Sequence, residues 1–214
     1  MKLEEFLKNK HQQILESPYL HVGAYRDSVG KSEVSTNTLK RAFDLLGFFE
    51  INFAGDNDFI EFYMRKEAPQ VLGVIQRDEK VEIIFSLRFK DRVTVNADIN
   101  EFLNGRPMLQ IASAYVSEKF KYFGIASFAY AQLVKHGYVV ISDSEQFTDG
   151  AELWKKMVRK AELANYKIYI LDTDYGLLKA NGTPVIYDGS NIDDAKIWSS
   201  EDDYSGCNIL LVMK

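Results

Sequence analysis

The segment from Leu109 to Gly137 constrains the fold most, because it has the pattern of a strand, a turn and a helix in direct succession. Residues 109–116 alternate between two faces, as the side chains of a β-strand do. After a polar turn, apolar residues recur at helical spacing from Gly124 onwards, and Gly137 stands where a left-handed residue would end the helix. Because free backbone N–H groups and the helix dipole meet at the start of that helix, the sequence predicts an anion site at the turn.

The residues of this turn also resemble the signature of a known family. Lys121-Tyr122-Phe123-Gly124-Ile125-Ala126 is similar to the Gln/Arg-x-x-Gly-x-Gly/Ala motif of the GNAT superfamily, the acetyl-CoA-dependent N-acyltransferases. The resemblance implies that the turn amides hold the pyrophosphate of acetyl-CoA and that the preceding strand pairs with its pantetheine arm. The cofactor-binding residues that it implies are Tyr115, Val116, Lys121, Tyr122, Phe123, Gly124, Ile125 and Ala126.

Two positions of the motif depart from the family pattern. Lys121 stands where arginine or glutamine is usual, and Tyr122 stands where many members have another glycine. Because backbone amides would hold the phosphates, a side chain at position 122 is compatible with binding unless its backbone needs a positive φ. The alternative is an ordinary strand–turn–helix in an unrelated α/β domain.

The N-terminal half has the pattern of two helices followed by an antiparallel meander. Apolar residues at helical spacing predict a short helix over residues 2–16 and a second over residues 39–46, which ends before Gly47. Alternating residues then predict three strands that face a core on one side, at 59–65, 71–77 and 81–89.

The C-terminal half alternates strands with helices. After Gly137 it predicts a strand at Tyr138–Ser142, a helix around residues 153–161, and strands at 166–171 and 208–213, with a long insertion at 172–207. This element order matches that of GNAT proteins over roughly residues 35–214. Both the order and the motif therefore favour the same family.

We predict an α/β (α+β) fold with a GNAT-like sheet that is mixed, mostly antiparallel and flanked by helices. Its parallel pair is the strand Leu109–Ser117 with the strand Tyr138–Ser142, splayed apart at one end. Residues 1–34 form an N-terminal helix and linker extension, and residues 35–214 form the GNAT-like acyltransferase domain.

Composition limits the location and the partners. Thirty-one acidic residues against 26 basic ones give a net charge of −5, which argues against nucleic acid as a partner. No apolar run approaches the roughly 20 residues that a membrane helix needs, so no membrane partner is expected. Cys207 is the only cysteine and no export signal is visible, so we expect a cytoplasmic protein, within a bacterial host if it is phage-encoded.

Acyl transfer to an amine needs a base, a donor to the oxyanion and an acid for the leaving thiolate. The family takes that acid from a tyrosine in a Leu-Tyr-x-Lys pattern, whose place Leu153-Trp154-Lys155-Lys156 occupies here. An indole cannot act as the acid. Trp154 lies with Leu153 and Met157 on the apolar face of the predicted helix, so we expect it to pack in the core. Another group then acts, with Tyr115 and Tyr122 nearest in sequence, or water does, or the protein does not catalyse.

Asp143 and Glu145 are the candidate bases, because they follow the buried strand 138–142. The predicted catalytic residues are therefore Tyr115, Asp143 and Glu145. Alternatively, both acids are solvated turn residues or helix caps, because polar residues at strand ends commonly have these roles.

The insertion 172–207 is rich in acids. In GNAT proteins this segment borders the acceptor groove, so acids there suit a cationic amine such as a small polyamine or a protein lysine. The alternative is a solvated acidic face. The spacing does not fit a calcium loop, and we expect no metal site. The acids are Asp172, Asp174, Asp188, Asp193, Asp194, Glu201, Asp202 and Asp203.

Two function classes remain. The first is an acetyl-CoA-dependent N-acetyltransferase that acts on a primary amine. The second is a catalytically degenerate GNAT-like binding or structural module, for example of a phage particle, since residues 142–157 resemble a pattern common in GNAT-like proteins of bacteriophages. Acetylation of charged tRNA is disfavoured by the acidic balance. The acceptor does not follow from the sequence, and a homo-oligomer or a larger assembly is left open.

Overall fold

The computed structural model describes residues 36–53, 56–65, 70–77, 80–144, 148–198 and 208–214. The chain forms two compact units, the first comprising Met1–Ser86 with Tyr115–Ile125 and the second Leu87–Ala114 with Ala126–Lys214. The predicted helix at 2–16 lies outside the described residues. The predicted domain division at residue 34 stays a prediction.

The fold class is mixed α+β, with mostly antiparallel strands, one parallel pair and few helices, which confirms the prediction at this coarse level. None of the helices in the described ranges is long and apolar enough to cross a membrane. The helices are α1 (Thr36–Ala42), α2 (Asn100–Leu103), α3 (Ile125–Lys135) and α4 (Thr148–Ala164). The strands are β1 (Phe43–Phe53), β2 (Asp56–Arg65), β3 (Gln70–Arg77), β4 (Lys80–Phe89), β5 (Met108–Val116), β6 (Val139–Ile141), β7 (Ile168–Asp172), β8 (Gly176–Leu177), β9 (Lys179–Ala180), β10 (Thr183–Pro184) and β11 (Ile209–Met213).

The three predicted meander strands are β2, β3 and β4, and β1 precedes them as a strand that the sequence did not predict. β1, β2 and β3 pair antiparallel, and β4 lies next to β3. The prediction that one face alone meets a core is wrong for the middle of β4, where every residue of the range 84–87 is buried. The sequence pattern misled because Ser86 is polar but buried, and the Gln70 amide donates a hydrogen bond to its Oγ.

The predicted helix over residues 39–46 is also corrected. α1 ends at Ala42, and Phe43 begins the eleven-residue strand β1. Leu39, Phe43 and Leu46 are buried as predicted, but the last two reach the core from a strand. The phenylalanines and isoleucine of this stretch suit a strand that pairs along its length with β2. Gly47 therefore lies at a register shift between the two strands instead of at a helix end.

Gly73 on β3 sits where two neighbouring strands leave no room for a side chain. A Cβ built there would lie 2.8 Å from the Cβ of Phe85 and 3.3 Å from Cε1 of Phe62. We expect Gly73→Ala to lower the free energy of unfolding by about 1–3 kcal/mol, because overpacking forces neighbouring groups off their preferred positions. Urea denaturation measures the loss. Gly150→Ala, in open space inside α4, is the control and should stabilise by roughly 0.5–1 kcal/mol, and equal losses in both variants would contradict the packing argument.

The second unit contains the parallel pair. β5 and β6 run parallel and are linked by α3, and β6 is linked to β7 by α4. The last strand, β11, inserts between β6 and β7 and is antiparallel to both. The predicted strands at 138–142, 166–171 and 208–213 are thus confirmed, with ends that differ by a few residues. Their inner faces share a core with α2, which includes Ile99, Leu103, Val139, Ile141, Leu171, Leu210 and Val212.

The end of α3 is as predicted. Gly137 has a φ of +89°, its N–H bonds the carbonyl of Val134, and the N–H of Tyr138 bonds the carbonyl of Leu133. This pair of bonds is the Schellman arrangement, which satisfies carbonyls that a helix end otherwise leaves free. Glycine is favoured because the left-handed conformation is strained for residues with a Cβ.

The described part of the insertion, residues 172–198, contains regular structure that was not predicted. β8 extends the sheet beside β7, β9 and β10 form a small hairpin, and Ile186 bridges to Tyr169. Local patterning could not show this, because strands of two residues are too short for a period to be recognised. Residues 199–207 lie outside the described part.

Candidate functional site

The turn between β5 and α3 belongs to the first unit. A short 3-10 helix at Glu118–Phe120 leads into it, with the Phe120 ring buried. Tyr122 and Gly124 both have a positive φ, +72° and +85°, and α3 begins at Ile125. No atom lies within 4 Å of a Cβ built on Gly124, so its backbone conformation, not space, selects glycine there.

The structure answers the condition that the sequence left open for position 122. Its backbone does have a positive φ, which an L-residue with a Cβ adopts only under strain, so the condition that counts against a side chain at this position is met. The Tyr122 side chain is 96% exposed, so no packing contact explains why tyrosine is present. The ammonium of Lys121 is 2.9 Å from the carboxylate of Glu118, three residues earlier on the same surface.

We expect Tyr122→Gly to raise the free energy of unfolding by up to about 1 kcal/mol. Relief of the left-handed strain gains roughly 1–2 kcal/mol, and the freer unfolded chain takes back roughly 0.4–1 kcal/mol. Tyr122→Ala keeps the strained backbone and should gain nothing. Chemical denaturation of both variants decides the matter, and an equal gain in both would show that strain is not the source.

In the second unit, the pairing of β5 with β6 stops before β5 ends, and we term this point the fork. Three parallel pairs join them, the last being Gln110 with Ile141, after which β6 ends and β5 continues to Val116. Beyond this point no strand in the described ranges pairs with β5 on the β6 side. After Gln110, Ile111 is buried, and only the three residues that follow it, Ala112 to Ala114, are small and exposed, although successive residues of a strand point to opposite faces. This stretch is therefore open on both faces and along one edge.

Asp143 lies at the fork, two residues after β6. One of its carboxylate oxygens, Oδ1, is 2.8 Å from the ammonium of Lys90 and accepts a 2.7 Å hydrogen bond from the N–H of Ser144. The Lys90 ammonium also donates to the hydroxyl of Ser144 at 2.9 Å. The predicted base is thus part of a three-residue polar cluster, Lys90, Asp143 and Ser144, which we term the fork cluster.

A buried glutamine holds this fork together. The Gln110 side chain is fully buried, and its amide NH₂ donates to the carbonyl of Ser142 at 3.3 Å. Its amide oxygen accepts hydrogen bonds from the backbone N–H and the hydroxyl of Thr94, at 2.7 and 3.0 Å. Sequence reasoning missed both Gln110 and Lys90. The available signal was a polar residue between the buried apolar residues Leu109 and Ile111, because a buried amide is normally hydrogen-bonded.

Ser142, the residue after β6, also holds the end of this strand in place. Its N–H donates to the carbonyl of Leu211 at 2.9 Å, and its hydroxyl, not its carbonyl, accepts from the N–H of Leu211 at 3.0 Å. The carbonyl is thereby left for Gln110. The backbone just before Asp143 is therefore held from two sides.

Trp154 is a core residue, which confirms the packing role that its position on the apolar face of the helix predicted. It is 2% exposed, and its ring packs against the buried ring of Tyr130 on α3, with centroids 5.8 Å apart. Burial, and to a lesser extent the negative charge of Asp143, raises the pKa of the Tyr130 phenol well above its usual range. Ser127, also on α3, has a buried hydroxyl without a hydrogen-bond partner in the described part of the chain.

The remaining predicted site residues divide between the units. Tyr115, Val116 and the turn residues 121–125 belong to the first unit, and Ala126 and Asp143 belong to the second. Tyr115 and Val116 are half-buried at the end of β5. Glu145 lies outside the described residues.

The described acids of the insertion are engaged in local structure. Asp172 and Asp193 accept backbone N–H bonds in turns, and Asp174 accepts from the Asn96 amide. Hydrogen bonds from Ser190 lower the pKa of Asp188 below its usual value. A bond from Lys155 does the same for Asp194, which also accepts from the Trp198 indole.

Because these acids already accept hydrogen bonds from neighbouring groups, the interpretation as a solvated acidic face is favoured over a preformed site for a cationic amine. No group of three or more His, Cys, Asp or Glu side chains within the described ranges is arranged to hold a metal ion.

Comparison with known protein-family models, with curated protein sequences and with solved structures gives no match to this chain.

Proposed function

We propose that the protein is an acetyl-CoA-dependent N-acetyltransferase that transfers an acetyl group to a primary amine. The observation that carries the proposal is the fork in the second unit. A parallel strand pair opens after three residue pairs, and a carboxylate, Asp143, stands where it opens. An extended ligand with amide groups can add to the free edge of β5 as a strand would, because its N–H and C=O groups there lack a strand partner in the described part of the chain.

The connections around the fork support the proposal. A helix crosses from β5 to its parallel neighbour β6, a second helix follows, and the last strand inserts between β6 and β7. This is the order that the GNAT resemblance implies for the C-terminal half. The exposed residues Ala112 to Ala114 are small, so the pantetheine arm of acetyl-CoA could approach their backbone closely.

The residues take the following roles in the proposal. Asp143 accepts a proton from the acceptor amine, and the edge of β5 holds the pantetheine arm. The amides of Tyr122 to Ala126 hold the pyrophosphate, because the turn has two left-handed residues followed by the start of a helix, and Tyr122 keeps this backbone at a cost in strain. Acetyl-CoA supplies the acyl thioester.

One observation favours the second candidate, a GNAT-like binding module without catalysis. Trp154 occupies the position of the usual tyrosine acid and is buried against Tyr130. A general acid contributes about 10²–10⁴-fold to such reactions, so its loss makes any transfer slow. This candidate keeps CoA binding and lacks turnover.

Calorimetric titration with acetyl-CoA and with CoA tests the proposal, followed by an assay of thiol release with a panel of primary amines. We expect binding by the wild-type chain and at least a tenfold loss of affinity in Gly124→Asp, which sets a negative charge beside the expected phosphates. Gly105→Asp is the matched control, because Gly105 also has a positive φ, +74°, and open space around its Cβ position.

The possible outcomes separate the candidates. Binding with turnover supports the transferase, and binding without turnover under any amine supports the binding module. The absence of heat and of a thermal shift with millimolar CoA would overturn the transferase and the CoA-binding module, and would leave a structural module that does not bind CoA.

A further inference from the structure

An ammonium group is already held at the fork by two oxygen acceptors. The Lys90 Nζ lies 2.8 Å from Oδ1 of Asp143 and donates to the Ser144 hydroxyl at 2.9 Å. The side chains of Lys90 and Asp143 are 24% and 20% exposed, respectively. A carboxylate and a hydroxyl at these distances are what a primary ammonium needs in order to be bound and oriented.

The strand order places this pair across β5. Lys90 follows β4 and Asp143 follows β6, and β5 lies between the two strands. The N–H of Lys90 donates to the carbonyl of Gln110 at 2.8 Å, and Gln110 is the last residue of β5 that pairs with β6. The ion pair therefore spans β5 at the point where the fork opens.

Both sides of the pair are held by the fold. The backbone of Lys90 is bonded to Gln110, and the side chain of Gln110 bonds the carbonyl of Ser142, the residue before Asp143. One glutamine thus sets the spacing between the two charged residues. A partly exposed surface ion pair normally lacks such support and is worth little to stability.

We propose that Asp143 and Ser144 form the subsite for the acceptor ammonium and that Lys90, which occupies it, is itself acylated by a bound acyl-CoA thioester. This inference rests on the proposed function. It names a modification site, Lys90 Nζ, and the acceptor class, a primary alkyl ammonium.

The transfer balances without a further reactant. Lys90 loses one proton to Asp143, and its free amine attacks the thioester carbonyl to form a C–N bond. The C–S bond breaks, the thiolate leaves and takes a proton, and the nitrogen loses its second proton as the amide forms. The products are Nε-acyl-lysine, the free thiol of CoA and one proton released to solvent.

The modification would change the subsite. An acylated Lys90 carries no charge, so the attraction that holds it to Asp143 is lost. The carboxylate is then available to an external amine, and the modified protein is the form that accepts it.

The test follows the acetylation of individual lysines in the full-length chain incubated with acetyl-CoA, by intact mass and peptide mapping. Lys155 is the matched internal control, because it is also paired with an aspartate, Asp194, and its side chain is 25% exposed. We expect Lys90 to be acetylated at least tenfold faster than Lys155. Lys90→Arg should remove the fast phase while leaving calorimetric binding of CoA unchanged.

Asp143→Asn separates catalysed transfer from chemical background. Loss of the carboxylate should slow the acetylation of Lys90 about tenfold or more, because the proton acceptor is gone. Asp194→Asn is the corresponding control and should leave the rates at Lys90 unchanged. Ser144→Ala, which removes one hydrogen bond to the ammonium, is a second test. It should lower the ratio of the acetylation rate of Lys90 to that of Lys155.

The outcomes distinguish the inference from the function on which it rests. If the wild-type chain does not bind acetyl-CoA, the proposed function fails and the inference fails with it. If it binds acetyl-CoA but Lys90 reacts no faster than Lys155, the inference alone is overturned. Faster acetylation of Lys90 in Asp143→Asn would also overturn it, because the carboxylate would then be protecting the amine and not activating it.

Discussion

Replacement of Trp154 by alanine is expected to lower the free energy of unfolding by about 3–5 kcal/mol, as truncation of a buried tryptophan does. The side chain is 2% exposed and packs on Tyr130, so its removal leaves a cavity between α3 and α4. Urea denaturation followed by circular dichroism measures the loss. Trp198 offers a control, because its half-buried indole is hydrogen-bonded to Asp194 and Trp198→Ala should cost much less.

Trp154→Tyr then separates packing from catalysis. It introduces the phenol that GNAT acyltransferases use and keeps an aromatic ring, so the fold should survive with a smaller loss than alanine causes. A rise in thiol release in this variant would show a degenerate acid site in a true transferase. A fast wild-type enzyme that Trp154→Tyr slows more than a hundredfold, with its fold intact, would contradict our account of Trp154.

Replacement of Gln110 by leucine is expected to be the next most damaging change, with a loss of roughly 2–4 kcal/mol. Loss of the amide leaves the buried Ser142 carbonyl without its partner, which costs about 1–3 kcal/mol, and removes the bonds to the exposed Thr94, which adds about 1 kcal/mol. Thr94→Val removes only the hydroxyl bond and should cost about 1 kcal/mol. A loss for Gln110→Leu no greater than that of Thr94→Val would contradict the role of Gln110 as the clamp of the fork.

Gln110→Glu adds a sharper comparison. The carboxylate can still accept from Thr94, but it cannot donate to the Ser142 carbonyl, and it places a charge in a buried site. We expect it to destabilise strongly near neutral pH and to recover in part as the pH falls, since protonation removes the charge and restores a donor. The pH dependence of urea denaturation shows whether this recovery occurs.

Sequence reasoning succeeded where a pattern is local and repeated. The strand, turn and helix from Leu109 to Gly137 were predictable because alternation, helical spacing and the terminal glycine each act within a few residues. Trp154 was recognised as a core residue from its position on an apolar helix face. The parallel pairing of β5 and β6 followed from the helix that links them.

Sequence reasoning failed where the same residues fit both a helical and a strand pattern. Leu39, Phe43 and Leu46 lie at helical spacing, yet Phe43 and Leu46 belong to β1, because ladder bonds to β2 outweigh a weak helical preference. Ser86 was mispredicted for another reason. A polar residue on a strand was expected to face solvent, but Ser86 is buried and hydrogen-bonded to a neighbouring strand.

The sequence by itself determined the order of elements from β5 to β7 and the last strand, the anion-binding turn as a hypothesis, and Asp143 as a candidate base at a strand end. The tertiary structure alone decided what Asp143 faces. Lys90 pairs with Asp143 from 53 residues away along the chain, and Gln110 bonds the carbonyl of Ser142, the residue before Asp143. Both contacts depend on the order β4-β5-β6. The backbone angle at Tyr122 was likewise a tertiary result, because the path from β5 into α3 imposes a positive φ on a residue whose own preference opposes it.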